Sequence, residues 1–296
     1  MTLHGVFAPV PTPFDRQDRV DVARLSAAFA RWLPRPINGF IVLGSNGEAA
    51  FLTEEESDRV VAAARDAVPR GRPLIVGTGR ESTQAAIAAA RRAAALGADA
   101  VLVRTPSFFK SQMTPDAFIR HYTAVAEASP VPVLLYNFTA ATGVNMAPAT
   151  AAVLAEHPNV IGMKESGSDI AQIADLVALT PPDFRVLGGS ATIFFSALCA
   201  GAAGGILALA ALLPDACARL FDLVRAGELD EARTLQRRLV PVARLISGRY
   251  GVPGLKAALA LRGWDVGAPR PPLAPVKPAA TAELQEALAA FEVVTA

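Results

Sequence analysis

The sequence predicts an α/β fold, a (β/α)8 barrel of the TIM type with an additional C-terminal helical layer, and three observations carry that expectation. Short apolar runs with strand character alternate with longer Ala-rich or amphipathic runs, the pattern of a parallel sheet with crossover helices. Eight such pairs can be counted, spaced by about thirty residues, the length of a βα unit. The rhythm does not change along the chain, which favours closure over the doubly wound open sheet that shares the repeat. A chain of 296 residues fits one such unit, because these barrels run to about 250 residues before additions. The expected division is a barrel over 1–226 and C-terminal helices packed on it over 227–296.

The predicted strands are Gly5–Ala8, Gly39–Leu43, Leu74–Gly77, Ala100–Val103, Val133–Tyr136, Val160–Lys164, Arg185–Gly188 and Gly204–Ala208. The helix starts are chemically explicit. Thr53 and Glu56 have the spacing of a capping box, Thr114 precedes Pro115, and Pro148 and Pro214 occupy early helical positions. Each supplies an acceptor for, or dispenses with, an N–H group that the first turn leaves unpaired. Beyond the eighth strand, helices are expected at about Pro214–Ala226, Leu229–Arg249 and Pro253–Arg262. A Pro-rich crossing at Ala268–Pro278 and a last helix near Thr281–Phe291 follow. Gly77-Thr78-Gly79-Arg80-Glu81-Ser82 echoes a dinucleotide fingerprint, but it falls on the third unit and lacks the third glycine, so it reads as an ordinary βα turn.

Composition excludes several functions. With 28 Lys+Arg against 27 Asp+Glu and no basic stripe interleaved with aromatics, the chain has no footprint for nucleic acid. Val186–Pro214 carries no charge and exceeds the roughly 20 residues of a membrane span. Gly188-Gly189-Ser190, Gly201 and Gly204-Gly205 break it up, so buried barrel and not membrane is expected. Cys199 and Cys217 lie in apolar helical surroundings without CxxC spacing, which predicts buried thiols in a reducing compartment, the cytoplasm. Met1–Asp15 lacks the basic and apolar regions of a secretory signal. His4, His121 and His157 are scattered without ligand spacing, so no metal is expected.

Reactive groups of a barrel lie where strands end, and the polar residues there are few. They are Gly44-Ser45-Asn46-Gly47-Glu48, Arg104-Thr105-Pro106, Tyr136-Asn137, Lys164-Glu165-Ser166 and Gly188-Gly189-Ser190. Lys164 follows Val160-Ile161-Gly162-Met163, so a long cation is carried to the rim of a buried apolar strand, where desolvation favours the free amine, a nucleophile. A lone strand-end lysine otherwise snorkels to solvent or pairs with a carboxylate such as Glu48 or Glu165. Tyr136, on the adjacent strand, brings a phenol able to give and recover a proton. The Gly-flanked Ser45-Asn46 turn offers backbone N–H groups of the kind that hold carboxylates.

On these residues the chain resembles, over essentially its whole length, the dihydrodipicolinate synthase and N-acetylneuraminate lyase superfamily of pyruvate-dependent class I aldolases. Further landmarks are Pro11-Thr12-Pro13-Phe14, Leu52-Thr53, Gly97-Ala98-Asp99 and Gly251-Val252-Pro253-Gly254-Leu255-Lys256. The resemblance implies that Lys164 forms an imine with a 2-oxo acid, Tyr136 is general acid and base, Ser45 relays protons and the Asn46 turn holds the carboxylate. Gly44, Gly47, Gly189 and Ile206 join Asn46 as implied substrate-binding positions. It implies no cofactor and a homotetramer built as a dimer of dimers. Ser45-Asn46, Glu81-Ser82-Thr83-Gln84-Ala85 and His157-Pro158-Asn159 look most like 4-hydroxy-2-oxoglutarate aldolases, in which Ser166 would meet the distal part of the substrate.

Two departures qualify the likeness. Ala141 stands where synthases of the lysine pathway carry an arginine for a dicarboxylic partner, which disfavours that synthesis. Thr105-Pro106 is followed by Ser107-Phe108-Phe109-Lys110 where a tyrosine is usual, and a phenylalanine cannot pass a proton. Lys110 is expected to be a solvated loop lysine. Besides the aldolase, two alternatives remain: a 2-keto-3-deoxy sugar acid aldolase or dehydratase using the same imine, and a barrel that binds its ligand without turnover.

Overall fold

The computed structural model describes residues 3–293. Eight parallel strands form a closed barrel in chain order: β1 (Gly5–Pro9), β2 (Gly39–Val42), β3 (Leu74–Gly77), β4 (Ala100–Arg104), β5 (Val133–Asn137), β6 (Val160–Glu165), β7 (Arg185–Gly188) and β8 (Gly204–Ile206). β1 pairs with both β2 and β8, which excludes the open sheet. The seam is closed by glycine. Gly5 stands opposite Gly204, and a methyl group on Gly204 would lie 2.0 Å from the Gly5 carbonyl oxygen.

Between and after the strands run α1 (Val22–Trp32), α2 (Glu54–Ala67), α3 (Thr83–Ala95), α4 (Pro115–Ala128), α5 (Thr139–Thr142), α6 (Pro148–Ala155), α7 (Ile170–Leu179), α8 (Phe194–Cys199), α9 (Ala208–Leu212) and α10 (Pro214–Arg225). The chain ends in α11 (Leu229–Ala243), α12 (Gly251–Leu261) and α13 (Pro278–Val293). The expected caps are present: Thr53 and Glu56 exchange both bonds of a capping box, Thr114 caps the helix that begins at Pro115, and Pro148 and Pro214 open their helices.

Side chains alternate across the strands. One set, with Phe7, Ile41, Ile75, Leu102, Leu134 and Ile206, fills the barrel interior. The other, with Val6, Phe40, Val76, Val101 and Met163, packs under the helices. Both strand faces are buried, which is why the strands read as continuous apolar runs. α3 meets the sheet through Ala86, Ala90 and Ala93, small residues that allow close approach.

Two expectations need correction. Cys199 is exposed, because it ends the short α8 just before the turn at Gly201 (φ +98°); only Cys217 is buried. The helix expected to run to Arg249 is α-helical only to Ala243, and Arg244–Arg249 winds as a wider π-helical turn. It follows Pro241, which has no N–H to donate to the preceding turn. The uncharged run 186–214 is divided among β7, α8, β8 and α9, and no helix of the described residues is long and apolar enough to cross a membrane.

The C-terminal helices are tied into the barrel mouth. On α11, Gln236 donates from Nε2 to the Ala191 carbonyl (2.9 Å) and accepts from the Phe195 amide (2.8 Å). On α12, the buried Lys256 pairs with Glu48 at 2.6 Å and donates to the carbonyls of Thr12 (2.8 Å) and Ala268 (3.0 Å). Burial pulls the Lys256 pKa down, against the upward pull of Glu48. Farther along, the Arg270 amide donates to Glu48 (2.8 Å), and its guanidinium pairs with Glu56 and holds that carboxyl at about 2.

Two stability predictions follow from these buried groups. Lys256→Met leaves Glu48 buried and unpaired, so urea denaturation should show a loss of about 3–5 kcal/mol, most of it recovered in Glu48→Gln/Lys256→Met. His121, buried on α4 with Nδ1 2.9 Å from the Thr83 hydroxyl, has its pKa lowered to about 4 by burial. Below about pH 6.5 the unfolded chain therefore takes up a proton that the folded chain refuses until about pH 4. Stability should fall across that window as pH decreases, by about 3 kcal/mol, and His121→Gln should flatten the slope.

Candidate active site

The site begins with strand register. In the β5–β6 pairing Tyr136 stands opposite Lys164, and Asn137 opposite Glu165. Tyr136 is a member of the barrel-interior cluster, and the Lys164 Nζ lies 4.3 Å from the centre of its ring. The Tyr136 hydroxyl is 3.2 Å from Ser45 Oγ. An amine, a phenol and an aliphatic hydroxyl, from β6, β5 and the turn after β2, are thus brought together. Lys164 is 5% exposed, and among the described residues it forms no ion pair. Glu48 is engaged by Lys256. Glu165 accepts from Asn137 Nδ2 (2.8 Å), Gln172 Nε2 (2.8 Å) and the Gly167 amide (2.6 Å).

Ser45–Gly47 forms a 3₁₀ turn, in which the Gly47 amide donates to the Gly44 carbonyl (3.0 Å) and the Glu48 amide to that of Ser45 (3.1 Å). The first amides of such a turn, those of Ser45 and Asn46, have no partner within it, so they are the donors available to a carboxylate. Left-handed residues flank the turn, Leu43 at φ 55° and Glu48 at φ 57°. Backbone of that kind persists only where its surroundings hold it. Here the Glu48 ion pair and a 2.6 Å bond from the Thr12 hydroxyl to the Gly47 carbonyl do so.

A cavity of about 660 Å³ opens at the strand ends, lined by Gly44, Ser45, Leu102, Arg104, Tyr136 and Ala141 among others. Asn46, Gly47, Lys164, Ser166, Gly189 and Ile206 do not form its wall. Ile206 packs the barrel interior. Ser166, just past β6, donates its amide to the Asn137 carbonyl (3.0 Å), and its buried hydroxyl has no partner among the described residues. Gly189 makes room for that hydroxyl, because a methyl group there would lie 1.9 Å from Ser166 Oγ.

Phe108 and Phe109 are 78% and 67% exposed, contact each other edge to face, and are not part of the cavity wall. Their loop is held by Glu81, which the sequence marks only as part of the Glu81–Ala85 stretch: it accepts from the amides of Ser107 (2.7 Å) and Phe108 (2.8 Å) and pairs with Arg104 (2.8 Å). Lys110 is exposed and lies against Gly143, next to Thr142 of the cavity wall. Also missed were the Glu48–Lys256 pair and the polar network around Glu165. Among the described residues no group of three or more His, Cys, Asp or Glu is placed to hold a metal ion.

Comparison with known proteins shows the family and the fold. The model of the dihydrodipicolinate synthetase family matches residues 2–291. A 4-hydroxy-tetrahydrodipicolinate synthase of Exiguobacterium sp. is 36% identical over 97% of both chains. A protein of Emericella nidulans, named as a probable mitochondrial 4-hydroxy-2-oxoglutarate aldolase, is 37% identical over 96% of this chain and 93% of its own. The crystal structure of a prophage protein of the dihydrodipicolinic acid synthase family from E. coli K12, in complex with pyruvate, superposes with a TM-score of 0.93 at 28% identity, covering 99% of each chain.

The contact between Gly189 and Ser166 yields a local prediction. Gly189→Ala forces the Ser166 turn to move, and overpacking of that kind costs about 1–3 kcal/mol. Thermal denaturation should register the loss, with Gly189→Ala/Ser166→Gly intermediate between the variant and the parent.

Proposed function

This chain belongs to the dihydrodipicolinate synthetase family, and we propose that it is a class I aldolase that cleaves 4-hydroxy-2-oxoglutarate to pyruvate and glyoxylate through an imine on Lys164. The observation that carries this reading is the grouping of the Lys164 amine, the Tyr136 ring and the Ser45 hydroxyl. The amine adds to the C2 carbonyl, and the carbinolamine loses water as Tyr136 protonates the departing hydroxyl. The iminium then draws electrons as the Tyr136 phenolate takes the proton of the C4 hydroxyl. The C3–C4 bond breaks, glyoxylate leaves, and an enamine remains. Protonation at C3 and hydrolysis release pyruvate and restore the amine. Ser45 exchanges the proton with Tyr136, and the Ser45 and Asn46 amides hold the C1 carboxylate.

Identity does not separate the two activities named among the relatives, since synthase and aldolase match equally well. Side chains favour the aldolase. Ala141, on the cavity wall, stands where the resemblance places an arginine in synthases of the lysine pathway, a departure that disfavours the synthase. The buried Ser166 hydroxyl has no partner among the described residues; it lies outside the cavity wall, and a movement of its turn would bring it to the distal end of the substrate. A second reading, aldol cleavage or dehydration of a 2-keto-3-deoxy sugar acid, draws support from the cavity of about 660 Å³, ample for a longer chain. The pyruvate held by the E. coli relative supports the 2-oxo acid moiety common to both.

The test is turnover of 4-hydroxy-2-oxoglutarate, followed by coupled reduction of the pyruvate released. The parent should turn over, Lys164→Ala should not, and Tyr136→Phe should lose about 10²–10⁴-fold in kcat. Release of pyruvate only from a 2-keto-3-deoxy sugar acid would favour the second reading, and a longer deoxygenated oxo acid as product would identify a dehydratase.

A further inference from the structure

Behind the strand ends that carry Tyr136 and Lys164 lies a buried polar network that the chemistry above does not use. Asn137 and Glu165, the next residues along β5 and β6, face each other in the register. The period of two turns them away from the barrel mouth, and both are buried. Glu165 Oε2 accepts from Asn137 Nδ2 and Gln172 Nε2, both at 2.8 Å, and Oε1 accepts from the Gly167 amide at 2.6 Å. Asn137 extends the network: its Nδ2 donates to Asn145 Oδ1 (2.6 Å), and its Oδ1 accepts from the Met146 amide (3.0 Å). All three partners of Glu165 are amide donors, and among the described residues no cation pairs with it. Such a set suits the ionised carboxylate, while burial pushes its pKa up.

A carboxylate buried without a cation is a costly thing for a fold to keep, and this one sits where the chain has most to hold in place. The main-chain carbonyl of Glu165 accepts from the Gly189 amide at 2.6 Å, and the next amide, that of Ser166, donates to the Asn137 carbonyl at 3.0 Å. The side chain closes the Ser166-Gly167 turn with one oxygen and ties β6 to β5 and α7 with the other. Resting on the reading of Lys164 as the imine-forming residue, we propose that Glu165 is a positioning residue. Its carboxylate sets the Lys164 amine and the Ser166 hydroxyl, on either side of it, relative to the Tyr136 phenol.

Glu165→Gln keeps the shape but turns an NH₂ group against amide donors. Misplacement of reacting groups by about 1 Å costs on the order of 10²-fold in rate. The expected result is therefore a kcat lower by about 10²-fold with KM changed by less than about threefold. Less imine should also be trapped per folded chain by borohydride with pyruvate. Glu165→Gln/Gln172→Glu moves the acceptor across the Gln172 hydrogen bond but leaves Asn137 Nδ2 facing an NH₂ group, so it should recover part of the kcat. Thermal denaturation in parallel separates stability from catalysis. The proposal is overturned if kcat per folded chain stays within about twofold of the parent, or if the double variant regains stability without regaining kcat. Should Glu165→Gln not fold, Gln172→Leu, which removes one donor at the edge of the network, is expected to lower kcat in the same direction, and an unchanged kcat overturns the proposal. A parent enzyme that turns over no 2-oxo acid and traps no imine overturns the reading of Lys164 and this proposal with it. An active parent with an indifferent Glu165→Gln overturns this proposal alone.

Discussion

The register of β5 on β6 is the constraint from which the site follows. Parallel strands with both faces buried have little freedom to slip, because a shift of one residue would send Tyr136 and Lys164 into the helix layer and Asn137 and Glu165 into the barrel. In the observed register the phenol and the amine share the inner face, with the Nζ 4.3 Å from the ring centre, and the amides and carboxylate share the outer one. One alignment thus places the reactive pair and its supporting hydrogen bonds.

A second support comes from the far end of the chain. The turn that offers the Ser45 hydroxyl is bounded by the left-handed Leu43 and Glu48, and Glu48 is gripped by Lys256 from α12 and by the Arg270 amide. The C-terminal helices are therefore more than a cover for the barrel, since they complete the electrostatics of the turn. Only a buried cation of matching reach lets Glu48 hold that conformation without an uncompensated charge.

Much of this was legible in the sequence, for local reasons. Strands and caps follow from short-range patterns, so all eight strands and the Thr53–Glu56 box could be placed, with strand ends within two residues. Lys164, Tyr136 and Ser45 stood out because each is a polar residue where an apolar run stops. Partners set by closure of the fold were not legible: nothing near Glu48 announces Lys256, and nothing near Phe108 announces Glu81. Cys199 was misjudged because apolar neighbours do not tell which side of a short helix a residue occupies. Glu165 is next to Lys164 in sequence, but strand alternation puts adjacent residues on opposite faces, so its partners lie on β5 and α7 and not at the amine.

The central claim, that Lys164 is the nucleophile held for a 2-oxo acid, is met most directly by reducing the protein with borohydride in the presence of pyruvate and mapping the peptides by mass. The account predicts a single reduced pyruvyl adduct on the peptide carrying Lys164, absent from Lys164→Ala. An adduct on another lysine, or none with pyruvate or with 4-hydroxy-2-oxoglutarate, would contradict it.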